Sequence, residues 1–216
     1  MVISTFLQSA LDDFIQQETL PKQYAKTVEH WFLPLAETVL KLCSTSTTAP
    51  IVGVSGCQGS GKSTLAALLV LLVREMMGLR AVNLSIDDFY HTRATRKRLA
   101  GDIHPLLATR GVPGTHDVAL ALKTLKSLRT QGQVAIPRFN KALDDRMPEE
   151  QWPRVQAPVD LIVLEGWCLC VPEQSEQELQ RPVNTLEADE DSNGHWRHYV
   201  NNAIKHDYAA LYGMVD

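Results

Sequence analysis

One eight-residue stretch constrains this chain more than any other part of it. Residues 56–63 read Gly-Cys-Gln-Gly-Ser-Gly-Lys-Ser and match the pattern G-x-x-x-x-G-K-[S/T] at every fixed position. The stretch follows a short β-branched run, Ile51–Ser55, and opens an apolar segment that extends to Met77. The pattern is informative only between a strand and a helix, and that context is present here. The sequence therefore predicts a strand, a phosphate-binding loop and a helix, in that order.

The residue types in this loop predict that it binds the phosphates of a nucleoside triphosphate. Glycines let backbone N–H groups point at a phosphate, and the helix N-terminus adds a favourable dipole. Lys62 would reach the β and γ phosphates, and the Ser63 hydroxyl would ligate Mg²⁺. We interpret Cys57 as a small residue in a tight loop rather than a redox centre. The predicted nucleotide-binding residues are Gly56, Cys57, Gln58, Gly59, Ser60, Gly61, Lys62, Ser63 and Thr64.

Composition narrows the class of protein. The chain has 216 residues, which is enough for one full-sized α/β domain with additions. Its 25 acidic and 21 basic residues give a net charge of −4, which argues against a nucleic-acid partner. The four cysteines form no C-x-x-C pair, so neither a zinc site nor a disulfide framework is indicated. No apolar run approaches the roughly 20 residues that cross a membrane, and the N-terminus has no signal-like pattern, so we expect a cytoplasmic protein.

The chain divides into two regions by pattern. Residues 1–48 have the helical spacing of an appended cover, with a break near Pro21 and a polar stretch before Ile51. Residues 49–216 are expected to form a P-loop NTPase domain of the α/β class, with a parallel central sheet between two helical layers. Strands are predicted at 51–55, 81–86 and 159–164, and helices at 63–77, 118–128 and 196–211.

Acidic residues follow two of the predicted strands. In open α/β sheets the carboxyl ends of the strands face the ligand, so Asp87 and Glu165 should flank the γ phosphate. Asp87 would accept the proton of an attacking hydroxyl while Lys62 neutralises charge on the phosphoryl group. Glu165 would help to hold Mg²⁺ through water. The alternative is that Asp87 and Asp88 only terminate a strand.

The loop alone does not separate kinases from GTPases or transport ATPases. A switch GTPase would carry N-K-x-D to recognise guanine, but the segment Asn140–Leu143 reads Asn-Lys-Ala-Leu and fails at the fourth position. No L-S-G-G-Q stretch of a transport ATPase is present. These differences favour a small-molecule kinase.

Residues 51–167 resemble the uridine kinase and phosphoribulokinase-like P-loop kinases, and among them the D-glycerate 3-kinase branch. Leu84–Tyr90 resembles the family's strand-end D-x-F-Y motif, in which the first Asp is the base. Residues 110–117, Arg-Gly-Val-Pro-Gly-Thr-His-Asp, resemble the glycerate-kinase form of a segment whose Asp contacts substrate hydroxyls. Pro137–Arg146 is similar to the segment that carries a substrate or phosphate arginine.

The resemblance implies an ATP-dependent kinase that phosphorylates a small acidic metabolite, with D-glycerate as the first candidate. ATP and Mg²⁺ are the implied cofactors, and neither nucleic acid nor a membrane is an implied partner. An acidic acceptor needs guanidinium groups for its carboxylate. The implied catalytic residues are Lys62 and Asp87, the implied metal ligands are Ser63 and Glu165, and the implied acceptor-binding residues are Tyr90, Arg110, His116, Asp117, Arg138 and Arg146.

Several of these positions have simpler alternatives. Thr115 or Asp117 could cap the following helix, and Asp117 could also contact the substrate. His116 could be a structural hydrogen-bonding residue. The basic run Arg93–Arg98 is interpreted as a solvated helix face rather than a phosphate clamp. Asn140 stands where the related kinases tend to have Asp, so the exact acceptor stays open, with a nucleoside kinase as the second enzyme hypothesis. The absence of the expected C-terminal strand and lid leaves a nucleotide-binding protein without turnover as a further alternative.

The end of the chain departs from the family pattern. The predicted helix 196–211 should lead into a further strand and a basic lid, yet the sequence stops at Asp216. We therefore expect a kinase domain that lacks its last strand and its lid. The sheet edge left exposed would favour pairing with a second copy of the chain.

Overall fold

A parallel three-stranded sheet organises the part of the chain that the computed structural model describes, residues 5–216. The strand order is β1-β7-β2, so the last strand of the chain lies between the first two. Two small antiparallel pairs, β3 with β6 and β4 with β5, lie outside this sheet. The strands are β1 (Ile51–Ser55), β2 (Ala81–Ser85), β3 (Gly132–Ala135), β4 (Phe139–Asn140), β5 (Asp145–Arg146), β6 (Arg154–Ala157) and β7 (Leu161–Gly166).

Helices precede the sheet and connect its strands. The helices are α1 (Thr5–Gln17), α2 (Tyr24–Thr27), α3 (Leu33–Thr45), α4 (Lys62–Met77), α5 (Arg93–Asp102), α6 (Val118–Leu128), α7 (Glu176–Leu179), α8 (Thr185–Glu190), α9 (His195–Asn202) and α10 (Ala209–Tyr212). The π-helical turns Val28–Phe32 and Ala203–Tyr208 join α2 to α3 and α9 to α10. The first four residues of the predicted helical region 1–48 lie outside the described part.

The sheet is covered on both faces, which confirms the predicted three-layer α/β arrangement. Successive residues of β7 point to opposite faces, because side chains alternate along a strand. Leu161 and Val163 pack with α4 and with the N-terminal helices, whereas Ile162 and Leu164 pack with α6 and the C-terminal helices. All four side chains are at most 1% exposed. A buried strand of this kind explains the continuous apolar run that predicted it.

The sequence placed β7 two residues too early. The strand begins at Leu161 rather than at residue 159 and ends at Gly166, so Glu165 lies within it. Residues 158–160 form a connection instead, in which the N–H of Asp160 donates to the carbonyl of Arg80 at 2.8 Å. The shift places Glu165 in register with Val54 of β1 and Ser85 of β2, directly between the two neighbouring strands.

The outer edge of β1 is partly open. The N–H of Asp216 donates to the carbonyl of Ile51 at 2.9 Å, and the N–H of Ile51 donates to the carboxylate of Asp216 at 2.9 Å. Further along β1, Gly53 and Ser55 are exposed. Pairing of this edge with a second chain stays a prediction. None of the helices within residues 5–216 is long and apolar enough to span a membrane.

Candidate active site at the carboxyl ends of the strands

The phosphate loop, residues 56–63, joins β1 to the first turn of α4. Gly59 and Gly61 have φ values of +75° and +84°, in the left-handed region that favours glycine. Lys62 begins α4, and its Nζ donates to the carbonyl of Cys57 at 3.1 Å, so the ammonium group lies across the loop. Backbone amides at a helix N-terminus and one cation therefore lie together where a phosphate chain would bind.

Ser63 and Glu165 meet beside this loop. The Ser63 hydroxyl donates to Glu165 Oε1 at 3.2 Å, and Glu165 is only 6% exposed. Protein sites for Mg²⁺ commonly supply one or two hard oxygen ligands and leave the rest to phosphates and water. This hydroxyl and this carboxylate fit such a site. Within residues 5–216, no cluster of three or more His, Cys, Asp or Glu side chains could hold a metal ion.

Asp87 lies in the 3₁₀ turn Ile86–Phe89 that follows β2, and its N–H donates to Ser85 Oγ at 3.3 Å. Its carboxylate forms an ion pair with Lys141 Nζ at 2.7 Å. The Lys141 side chain is 63% exposed, so it can move aside when another group approaches Asp87. The sequence pattern presents Lys141 only as part of an incomplete guanine motif. Its contact with Asp87 adds a residue to the candidate site.

Asp88 has a different role from Asp87. One carboxylate oxygen of Asp88 pairs with Arg138 Nη1 at 2.9 Å, and the other accepts from the N–H of Phe139 at 3.0 Å. Burial raises the pKa of Asp88, although both of these contacts oppose that shift. Both oxygens are therefore used to attach the β4–β5 hairpin to the end of β2. Asp88 therefore has the purely structural role at the end of β2 that was the alternative for both acidic residues. Asp87 instead pairs with the exposed Lys141.

Tyr90 and His116 stack on each other, with ring centroids 4.2 Å apart and an interplanar angle of 20°. Both are buried, at 4% and 3% exposure. The N–H of Gly114 donates to the Tyr208 hydroxyl at 3.2 Å, which leaves the hydroxyl proton for His116 Nδ1 at 2.5 Å. The ring proton of neutral His116 then lies on Nε2, which has no hydrogen-bond partner among the described residues.

Burial lowers the pKa of His116 to about 3, although the nearby Asp87 carboxylate opposes the shift. The unfolded chain therefore binds a proton at this residue below about pH 6.5, while the folded chain does not until about pH 3. The contribution of neutral His116 to the stability of the fold is therefore complete above pH 6.5 and is lost as the pH falls from 6.5 toward 3. Burial also raises the pKa of Tyr90, so its hydroxyl stays protonated at neutral pH.

Replacing His116 with Asn should make the protein less sensitive to acid. Asn keeps a polar group near the Nδ1 position but cannot titrate. We expect the loss of unfolding free energy between pH 7 and pH 5 to shrink by about 2 kcal/mol relative to the parent protein. Urea denaturation at the two pH values measures this difference. An unchanged difference would show that His116 titrates normally in the folded state.

Arg146 and Asp117 form an ion pair at 3.1 Å. Arg146 also donates from Nε and Nη2 to the carbonyl of Tyr90 at 3.1 and 2.8 Å. The other oxygen of Asp117 accepts from the N–H of Leu120 at 3.0 Å. Asp117 therefore caps α6, which is one of the two roles predicted for it. Arg146 is only 14% exposed. The pair therefore connects the D-x-F-Y turn, the hairpin and the start of α6.

Arg110 and Arg138 are more accessible than Arg146. Arg110 pairs with Asp144 and lies over the Phe139 ring, 5.5 Å from its centroid. The Arg110 and Arg138 side chains are 30% and 36% exposed. Each engages its carboxylate partner through Nη1 alone within residues 5–216. Both can therefore offer further N–H groups to an anionic ligand.

The interpretation of Arg93–Arg98 as a solvated helix face is wrong for Arg96. This side chain is 0% exposed and donates to the carbonyls of His91, Ala108 and Asp144 at 3.2, 2.8 and 2.6 Å. It also pairs with the Asp144 carboxylate at 3.0 Å. Two of these partners, Ala108 and Asp144, lie 12 and 48 residues away from Arg96, so the basic run itself gives no signal of this burial.

Replacing Arg96 with Met should destabilise the protein by about 2–3 kcal/mol, because the carbonyls of His91, Ala108 and Asp144 lose this donor, while the Asp144 carboxylate keeps its pair with Arg110. Arg98→Met is the matched control, since Arg98 is exposed and its hydrogen bond within residues 5–216 is to the Thr95 hydroxyl at 3.3 Å. We expect the control to change the unfolding free energy by no more than about 0.5 kcal/mol. Guanidinium denaturation of both variants measures the difference, and equal effects would contradict this role.

Comparison with known proteins identifies relatives of this arrangement. Over 131 residues the chain is 35% identical to the chloroplastic D-glycerate 3-kinase of Arabidopsis thaliana, covering 55% of this chain and 28% of that protein. It is 36% identical over 129 residues to a probable ATP-dependent kinase of Saccharomyces cerevisiae, covering 53% and 44% of the two chains. The chain thus spans less than half the length of these curated relatives.

A solved structure shares the fold. The D-glycerate 3-kinase of Cryptococcus neoformans superposes with a TM-score of 0.69 at 27% identity, over 85% of this chain and 70% of that one. A sequence model of the Phosphoribulokinase / Uridine kinase family matches residues 51–186. The matched region contains the phosphate loop, Asp87, the 110–117 segment, the hairpin and Glu165. The chain belongs to the phosphoribulokinase and uridine kinase family of P-loop proteins.

Proposed function

We propose that this chain transfers the γ-phosphoryl group of ATP to a hydroxyl of a small acidic metabolite, with D-glycerate as the first candidate. The observation that carries the proposal is the position of Lys62, Ser63 and Glu165 at the loop, with Asp87 just beyond the end of β2, the strand that pairs with β7. Family membership and the D-glycerate 3-kinase relatives support it.

The nucleotide side of the reaction is assigned to the loop. The nine residues from Gly56 to Thr64 would hold the phosphates through backbone N–H groups, and Lys62 would turn from the Cys57 carbonyl to the β and γ phosphates. Ser63 and Glu165 would hold Mg²⁺. The metal, when bound, would offset negative charge on the phosphate oxygens.

Asp87 is assigned the role of base. Its ion pair with Lys141 holds the carboxylate in place beyond the end of β2. An acceptor hydroxyl would replace the lysine at one carboxylate oxygen and pass its proton to Asp87 as the phosphoryl group transfers. Lys141 is thus proposed to position the Asp87 carboxylate before the acceptor binds.

The acceptor side is assigned to the segments around Asp117 and the hairpin. Arg110 and Arg138 retain free N–H groups and are proposed to bind the carboxylate of the acceptor. Arg146 would orient Asp117, whose carboxylate would bind an acceptor hydroxyl. Tyr90 and His116, whose rings stack, are proposed to form the wall behind this site.

A panel of acceptors tests the proposal. ADP release from MgATP is followed by a coupled assay with D-glycerate, other short hydroxy acids, pantothenate and uridine. We expect stimulation by D-glycerate or by another hydroxy acid, and none by uridine. Stimulation by uridine alone would favour a nucleoside kinase. Tight MgATP binding with no stimulation by any acceptor would favour nucleotide binding without turnover and would overturn the proposal.

A further inference from the structure

A cavity of about 530 Å³ adjoins the phosphate loop on the side of the N-terminal helices. Its volume falls within the range of small-ligand sites. One wall consists of loop and α4 residues, including Ser60, Gly61 and Thr64. The other wall comes from Leu20, Tyr24 and the π-helical turn that ends at Phe32. The helical cover predicted from the sequence therefore reaches the loop itself.

The two aromatic side chains form a supported pair. The rings of Tyr24 and Phe32 have centroids 6.0 Å apart, and both side chains are half-buried. Val28, which begins the π-helical turn, and Leu33, which follows it, are 0% and 8% exposed and pack with α4. The turn is a local departure from α-helix of the type often found at functional sites. The pair is thus held in place by the core beneath it.

The direction of a bound triphosphate follows from the first turn of α4. Ser63 faces Glu165 at 3.2 Å and marks the end at which the metal and the transferred phosphoryl group would lie. The next residue, Thr64, lies about 100° further around the helix and lines the cavity. A phosphate chain that starts near Ser63 would therefore pass Thr64 and lead into the cavity.

We propose that Tyr24 and Phe32 form an aromatic wall against which the nucleoside of the bound triphosphate packs. The proposal rests on the proposed nucleotide-binding function and adds a contact between the protein and the nucleoside. Continuity with the loop identifies the occupant, because the nucleoside is covalently joined to the phosphates that the loop binds. Aromatic rings accept a base by stacking and apolar contact.

Binding measurements with two ligands test the proposal. ATP and inorganic tripolyphosphate share a phosphate chain, but only ATP has a nucleoside. Titration calorimetry of the full chain, with Mg²⁺ present, is carried out for the parent, Phe32→Ala, Tyr24→Ala and Phe32→Leu. We expect each Ala variant to weaken ATP binding about tenfold and to leave tripolyphosphate binding within twofold. Phe32→Leu, which keeps an apolar side chain but cannot stack, should give a smaller loss for ATP alone.

Trp31→Ala is the control, because Trp31 neighbours Phe32 in the chain but is 65% exposed and does not line this cavity. It should leave both affinities unchanged. Unchanged ATP affinity in both Ala variants would overturn the proposal, and so would equal losses for the two ligands, which would indicate a general effect on the loop. Because no acceptor is present, a failure of phosphoryl transfer would not affect this result. Failure of the parent chain to bind either ligand would overturn the nucleotide assignment and this proposal together.

Discussion

Asp87→Asn should reduce phosphoryl transfer by about a thousandfold while MgATP affinity stays within about twofold. The amide keeps the size of the carboxylate but cannot accept the proton of the acceptor hydroxyl, and positioned bases typically contribute 10²–10⁴-fold. Nucleotide binding should persist because the phosphates are assigned to the loop rather than to Asp87. Steady-state rates with the best acceptor from the panel, together with titration calorimetry for MgATP, measure the two effects separately.

Asp102→Asn is the matched control for this change. Asp102 ends α5 and is exposed, so neither rate nor affinity should change. A full rate in Asp87→Asn would show that the base lies elsewhere. A large loss of MgATP affinity in Asp87→Asn would show instead that Asp87 belongs to the nucleotide site.

Lys62→Met should lower kcat/KM for ATP by a factor of about 10²–10³, the size of effect found when one group that stabilises a transition state is removed. Met retains the length of the apolar stem but removes the cation, so charge on the transferring phosphoryl group is no longer offset. Unlike Asp87→Asn, this variant should also lose MgATP affinity, because Lys62 is assigned to the β and γ phosphates of the ground state as well.

Lys97→Met provides the control, since Lys97 is an exposed lysine of α5. It should behave as the parent in both measurements. The stability of Lys62→Met should match that of the parent, because among the described residues the Lys62 side chain donates one hydrogen bond, to the exposed Cys57 carbonyl. A normal kcat/KM in Lys62→Met would show that the lysine of the phosphate loop does not contribute to catalysis.

The sequence predicted the layers and the loop because both depend on local patterns. The match at 56–63 identifies a strand and a helix on either side of it, and the buried run that forms β7 is too apolar for a surface segment. The first carboxylate of the Asp87–Asp88 pair was placed at the end of β2 by the same reasoning. The bounds of β7 were two residues too early, because Val159 continues the apolar run without belonging to the strand.

The remaining contacts depend on residues far apart in the chain. Asp88 pairs with Arg138, and Lys141 pairs with Asp87, across separations of 50 and 54 residues. Arg96 reaches Asp144 across 48 residues. Residue type and spacing carry no information about such partners, because the same arginine or lysine would be common on a solvated surface. The β4–β5 hairpin that brings them together consists of two-residue strands, which leave no periodic signal.

Direct identification of the product tests the central claim most directly. The chain is incubated with MgATP and D-glycerate, and the products are analysed by mass spectrometry and ³¹P NMR, with Asp87→Asn in parallel. We expect a phosphoglycerate that forms in step with ADP, and that forms about a thousandfold more slowly with the variant. ADP with free phosphate but no phosphorylated acid, or equal product from the parent and from Asp87→Asn, would contradict the account.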